Sequence, residues 1–423
     1  MGWVVRGPWA VTQLADLMYS SRQAPFLVTE TNAGSIGFSS TNESPYDGQW
    51  RQMAWLLIAR GARLVEYWHW NTLPFGAETS WGGVLPHSGI PGRAYAEIVR
   101  IGQELSQVGA AFGGAQPDYD VAILYDSDSK FALATQGPLP GPGLIDPDSY
   151  RHIVAAFSRG VFDAKRQQRL VRPQQLLPSR GGRLNPASAA AQYPVLVAAA
   201  FYTAADDDLD FLTAYARAGG HLVVGPRTGY GDTEARARTE RAPARIADAA
   251  GAWYDEMISL PAPVPVAGSL RGAATGFAEG LVATDAEVLA AYQHRHLGRW
   301  AVVTTRAAGA GRITVVGTVP DQDLAAALVR WLVPDAVGGW TAGDSVTVST
   351  STDPTAGIRL HLVHNWSWEE ATACATSAVT DLLEGRRYAP GEAIALGPWD
   401  VRLLRGDEAG GVPLWKPGEP GSA

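Results

Sequence analysis

Phe26-Leu27-Val28-Thr29-Glu30 is a short β-branched and aromatic run that ends on a carboxylate, and the polar, glycine-bearing Thr31-Asn32-Ala33-Gly34-Ser35 follows at once. A (β/α) barrel presents its chemistry in this pattern, because the loops after the carboxyl ends of the strands form the mouth of the barrel. Arg63-Leu64-Val65-Glu66-Tyr67-Trp68-His69-Trp70 repeats it, a strand running into aromatics and an imidazole. Together the two segments look like a sugar pocket. Aromatic rings cover the apolar faces of a pyranose, while carboxylate and imidazole take its hydroxyls.

Working outward, Val11 to Ser20 has apolar residues at helical spacing. Asp47 can cap a helix running to Ala59, with Gly61 as its stop. Pro91 to Gly109 reads as a helix with Tyr95, Ile98, Ile101 and Leu105 on one face. The order helix, strand, helix, strand, helix makes two β/α units of a parallel sheet. A closed barrel needs about eight.

Beyond a loop at Gly113 to Asp118, apolar runs of the kind buried in parallel sheets recur at Val121–Asp126, Pro194–Ala199 and His221–Gly225. Helix-like stretches, Tyr150–Val161 and Asp207–Ala218, separate them. An open doubly wound α/β domain is therefore expected over residues 117–335, with its cleft at the strand ends. Residues 344–407 hold short alternating runs, such as Ser345-Val346-Thr347-Val348 and Ile358–Val363, which read as a small antiparallel β-sandwich. The Pro/Gly-rich tail after Gly406 reads as loose.

At 423 residues, 46% hydrophobic and 18% charged, the chain can hold two or three cores. A net charge of -8 and a pI near 5.5 disfavour nucleic acid or an anionic membrane as partner. Cys374 is the single cysteine, which excludes an internal disulfide and agrees with a reducing compartment; cytoplasm is the expected location. No basic segment followed by a continuous apolar one opens the sequence, and no run of about 18 apolar residues occurs.

Pro25–Glu30, Glu66–Trp70 and Phe75-Gly76-Ala77-Glu78-Thr79-Ser80-Trp81-Gly82-Gly83-Val84-Leu85-Pro86-His87-Ser88-Gly89 resemble the family 42 glycoside hydrolases, the β-galactosidases. The likeness continues through Gly92–Tyr95, Pro226–Gly229 and Gly311–Thr318. It implies the carboxyl-terminal part of a (β/α)8 catalytic barrel at residues 1–112, its last two β/α units. A flavodoxin-like trimerisation domain at 117–335 and a small β-sandwich at 344–407 would follow. It also implies hydrolysis of terminal β-D-galactosyl groups by double displacement, a homotrimer, and no cofactor. Residue by residue, Glu30 would be the nucleophile, Phe38 would stand where a Trp usually stacks on the sugar, and Glu78 would bind a galactose hydroxyl. Trp81 falls where some members place a His. Barrel strands one to six, with the Asn-Glu pair whose Glu is the acid/base, have no counterpart here, so the expected acid/base is absent from the chain.

The residues also admit plainer roles. A strand-end Glu often pairs with an Arg or caps a helix. Asn42-Glu43 lies in a Ser/Thr/Asn loop, where such a dipeptide is common by chance, and Glu66 is at most a weak second carboxyl. Trp68 and Trp70 fall on one face of the strand, with His69 on the other; core packing competes with a ligand role for them. His87-Ser88 lacks a Gly-x-Ser-x-Gly elbow, and His294 and His296 lack companion ligands, so no metal is expected. Asp126-Ser127-Asp128 sits where a doubly wound fold binds ligands. That domain's topology resembles the class I glutamine amidotransferases, but Cys374 lies outside it, which leaves a scaffold. Asp206-Asp207-Asp208 suits a helix start. The alternatives to an enzyme are a non-catalytic assembly or sugar-binding remnant, and a truncated or split gene.

Overall fold

The computed structural model describes residues 7–34, 44–141 and 144–406. Two compact units result, Met1–Asp118 with Ala336–Ala423, and Tyr119–Asp335.

In the first unit α1 (Gly7–Ser20), β1 (Phe26–Asn32), α2 (Gln49–Ala59), β2 (Ala62–Trp68) and α3 (Arg93–Val108) follow in order. β1 and β2 are parallel neighbours, Val28 opposite Val65 and Thr31 opposite Tyr67. Phe26, Val28 and Val65 pack on Ala15 and Leu57 of the helices, and Tyr67 on Trp50 and Ile101. Leu27 and Leu64, on the opposite face, are 61% and 39% exposed. Gly61 ends α2 as expected, at φ +103°, where an added Cβ would meet the Tyr19 ring at 2.6 Å.

Two local expectations change. Asp47 does not cap α2: the residue before the first helical one is Gly48, at φ +89°, with no side-chain cap. A Cβ on Gly48 would lie 2.5 Å from the Trp399 carbonyl oxygen, so close backbone approach sets the helix entry, and Asp47 accepts from Arg93 Nη1 at 2.9 Å. The second strand stops at Trp68 rather than Trp70. The His69 and Trp70 carbonyls accept instead from Val84 and Leu85, at 2.8 and 2.7 Å, in a returning loop.

The carboxyl-terminal part of this unit is antiparallel. Six strands run in the order Arg387–Tyr388, Val379–Asp381, Val401–Gly406, Ile358–Asn365, Val346–Asp353, Gln116–Pro117. A second sheet holds Trp340–Ala342, Ala371–Ala375 and Ala393–Leu396. Strand alternation divides the large sheet between two cores: Leu360, Leu362 and Leu403 meet Trp55 and Phe112, whereas Val363 and Leu404 meet Ile394 and Leu396.

The second unit is built on one ten-stranded mixed sheet. Its parallel part runs Gln168–Val171, Val121–Leu124, Val195–Ala198, His221–Val224, Gly311–Val316, an order of 2-1-3-4-5 in chain sequence, that of flavodoxin. Leu124, Leu196, Leu222 and Val224 form a core with Leu209, Leu212 and Tyr215 of the helix Asp206–Arg217. Beyond Gly311–Val316 the sheet continues antiparallel through Ala301–Ala308, Glu287–Tyr292, Met257–Gly268, Gly272–Glu279 and Thr318–Pro320. This half corrects the expectation of a purely doubly wound sheet. Its Ala-, Gly- and Pro-rich strands show little of the apolar alternation that reveals a strand in a sequence.

Candidate active site

Glu30 lies two residues before the end of β1, in a β-bulge. Val28 pairs with Val65 and Thr31 with Tyr67, so Thr29 and Glu30 together oppose the single residue Glu66. A bulge re-aims the side chain at the extra residue. Thr29 and Glu30 are therefore both exposed in succession, on a strand whose earlier residues alternate. Glu66, also exposed, faces them from β2.

The ends of both strands are tied together. Ala33 N–H donates to the Trp68 carbonyl at 2.9 Å, and Asn32 Nδ2 to the Gly34 carbonyl at 3.0 Å. Gly34 lies against Gly82, where an added Cβ would sit 2.5 Å from the Gly82 carbonyl oxygen. Thr72 accepts from Gly83 N–H at 2.9 Å and donates to the Leu85 carbonyl at 3.1 Å, which closes the returning loop. These glycine contacts and the Asn32 and Thr72 bonds escape a reading of side-chain chemistry; the Gly82-Gly83 pair is the one sequence signal for them.

Around this rim Trp68 Nε1 donates to Glu78 Oε2 at 3.2 Å. Glu78 sits on a short 3-10 helix, Ala77–Ser80. The Trp68 ring is 42% exposed, and the adjoining peptide bond to His69 is cis. His69 is buried, its Nε2 3.3 Å from the Trp81 carbonyl oxygen and its Nδ1 without a hydrogen bond. Trp70 points outward and meets Tyr95 edge-on at 6.2 Å. The structure thus brings together Trp68, His69, Glu78 and Trp81, with Glu30 on the neighbouring strand; Trp70 lies to the side. Phe38 and Glu43 fall outside the described residues.

A buried ion-pair network stands behind the rim. Arg51 Nε bonds both Glu104 oxygens at 2.8 Å and Nη1 reaches Asp400 Oδ1 at 2.9 Å, while Trp55 Nε1 donates to Glu104 Oε2 at 2.9 Å. The network fastens α2 to α3, and Arg51 Nη1 also reaches the Val401 carbonyl at 2.8 Å.

The remaining candidates have structural explanations. Asp126 accepts from the N–H groups of Asp128 and Ser129 and from Ser129 Oγ at 3.3, 2.9 and 2.6 Å, so its carboxylate caps a helix. Asp206, Asp207 and Asp208 form the first turn of their helix, and Asp208 accepts from Ser179 Oγ at 2.5 Å. His294 Nδ1 accepts from the His296 and Leu297 N–H groups in an exposed turn. His87 Nε2 lies 2.8 Å from the Leu73 carbonyl oxygen. Among the described residues no group of three or more His, Cys, Asp or Glu is placed to hold a metal, and no helix is long and apolar enough to cross a membrane.

Two family models match the chain, "Beta-galactosidase" over residues 6–108 and "Beta-galactosidase trimerisation domain" over residues 184–337. The chain is 28% identical over 425 residues to the β-galactosidase Bga of Halorubrum lacusprofundi, covering 94% of this chain and 57% of the relative. It is 29% identical over 338 residues to the β-galactosidase BgaH of Haloferax lucentense, covering 78% and 46%. The solved structure of the Halorubrum lacusprofundi enzyme superposes with a TM-score of 0.77 at 26% identity, over 95% of this chain and 56% of that one. The chain spans about half the length of the relatives it matches. Residues 6–108 and 184–337 thus match the two domain types of glycoside hydrolase family 42, its β-galactosidase domain and its trimerisation domain.

Proposed function

We propose that this chain supplies the nucleophile and part of the galactose-binding surface of a retaining β-galactosidase. Glu30, aimed by the bulge from the carboxyl end of β1 beside the Trp68–Glu78 pair, is the observation that carries the reading. Glu30 attacks the anomeric carbon as the glycosidic bond to the aglycone breaks, the leaving oxygen taking a proton from a second carboxyl. Water deprotonated by that same carboxyl then cleaves the glycosyl ester, releasing galactose and the free Glu30 carboxylate. Glu78 accepts from a galactose hydroxyl, and Trp68 offers a ring face to the sugar. Phe38, His69, Trp70 and Trp81 complete the proposed contact set.

The two β/α units of the first unit are proposed as the last two of a (β/α)8 barrel, followed by the flavodoxin-like trimerisation domain and the small β-sandwich, with boundaries near 112, 117–335 and 344–407. A retaining site needs a second carboxyl about 5–5.5 Å from the first. We assign that acid/base role to none of the carboxylates of this chain. The active form is a homotrimer acting on galactosides, with no nucleic-acid or membrane partner, and Cys374 suits a reducing cytoplasm.

Hydrolysis of a nitrophenyl β-galactoside by enzyme containing this chain tests the assignment. Glu30→Gln is expected to lower turnover by roughly 10³-fold or more. Turnover that survives the substitution removes Glu30 as nucleophile. The exposed Leu27 and Leu64 face favours a second reading, a non-catalytic assembly or sugar-binding remnant. Absence of turnover together with retained galactose binding would select it.

A further inference from the structure

We propose that the strand Met257–Gly268 is the surface through which one copy of this chain docks on the next, an inference that rests on the homo-oligomeric reading above. Residues 257–270 contain no Asp, Glu, Lys or Arg, in a chain that is 18% charged. The stretch is nonetheless at the surface. Met257, Ser259, Pro261, Pro263 and Pro265 are all exposed, while Leu260 and Val266 are buried. An antiparallel strand with one solvated face ordinarily carries polar side chains there; this one carries three prolines, a methionine and a single serine.

The backbone limits how a partner can approach. On one side the strand pairs along most of its length with Gly272–Glu279; on the other, its ladder with Glu287–Tyr292 covers Val266, Ala267 and Gly268. Met257 to Val264 therefore form an open edge on that side. Proline has no N–H to donate, so Pro261 and Pro263 interrupt any added ladder along it. A partner meets the apolar face and does not extend the sheet.

Charge and family context select the occupant. The strand lies within residues 184–337, which match the β-galactosidase trimerisation domain. Two copies at net charge -8 repel one another, so a contact free of ionised side chains is where they approach at least cost. Prolines also hold the surface in a fixed conformation, which reduces the entropy lost on association. In a closed ring of three the contact is heterologous, so this strand meets a different patch of its neighbour.

Sedimentation of the full chain tests the proposal, comparing wild type with Pro261→Asp/Pro263→Asp and with the uncharged control Pro261→Ser/Pro263→Ser. Wild type and control are expected to sediment as trimers. The aspartate variant is expected to dissociate at least about a hundredfold more readily, because docking would bury unpaired carboxylates, with an unchanged circular dichroism spectrum. An aspartate variant that folds and stays trimeric overturns the docking surface and leaves the trimer standing; a wild type that sediments as a single chain overturns both. Should the aspartate variant fail to fold, hydrogen exchange of wild type decides. The Ile258–Val266 amides are expected to exchange about tenfold faster once dilution dissociates the oligomer, and equal rates overturn the proposal.

Discussion

Trp68 presents a half-open ring beside the strand end and holds Glu78 through its indole N–H. Trp68→Phe keeps a ring and removes the donor. It is expected to raise KM for a galactoside about fivefold, about 1 kcal/mol of lost binding, and to leave the fold unchanged; steady-state kinetics and circular dichroism check both. Glu279 shows a different residue effect. Burial pushes its carboxyl up to about 7, although Arg227 N–H donates to Oε1 at 2.8 Å. The unfolded chain ionises near 4.5 and the folded one near 7, so the folded state binds more protons across that window and stability falls as pH rises through it. Glu279→Gln keeps an acceptor for Arg227. It is expected to stabilise the protein at pH 8 by at most about 3 kcal/mol and to be near neutral at pH 4.5 in urea titrations. The type of residue at 30, 68 and 78 was legible from strand-end position and family motif. The Trp68–Glu78 bond was not, because it depends on how the loop from His69 to Leu85 folds back.

The elements show which patterns survive into structure. β1 and β2 announce themselves by β-branched and aromatic runs, yet the bulge that aims Glu30 leaves no mark in composition; it appears once Val28 and Thr31 are seen paired with Val65 and Tyr67. The cap of α2 failed for a related reason, since Asp47 has the right chemistry but the backbone near Trp399 demands a glycine in its place. The segment Ile358–Asn365 was read correctly as a strand, but from Leu360 onward it is buried on both faces instead of alternating, and it takes two histidines inside. Burial lowers His361 and His364 to about 3, from an ordinary value near 6.5. The folded state then binds fewer protons than the unfolded one between those values, so stability is full above about pH 6.5 and declines as pH falls toward 3. A urea midpoint for this strand's domain that drops between pH 7 and pH 4.5 is expected, and His361→Leu should flatten the drop. Arg51 joins two helices through a buried pair with Glu104. Arg51→Met is expected to cost about 3–5 kcal/mol, because it strips a buried carboxylate of its main cation; the urea midpoint measures it.

Across the molecule, apolar runs at Val121, Pro194 and His221 recovered three of the five parallel strands of the ten-stranded sheet; Gln168–Val171 went unread, Gly311–Val316 entered only with the family likeness, and the flavodoxin-like expectation came from that likeness. The antiparallel half was hidden in Met257–Thr318, where alanine, glycine and proline pack or pair without a hydrophobic period. The same residues form the neutral surface assigned to subunit contact. At the other unit, Leu27 and Leu64 lie open on a two-stranded sheet, and exposed apolar faces of that kind drive association. Above the concentrations at which it sediments as trimers, the purified chain is expected to scatter light increasingly, and Leu27→Lys/Leu64→Lys to suppress that scattering without lowering the melting temperature. The central claim is that Glu30 bonds covalently to galactose. A dinitrophenyl galactoside fluorinated beside the anomeric carbon has a leaving group that needs no acid catalyst, so it reports the nucleophile without the second carboxyl. Peptide mass spectrometry of the treated protein should find one fluorogalactosyl group on Glu30 and none in Glu30→Gln; a label on any other side chain, or an undiminished label in the variant, contradicts the account.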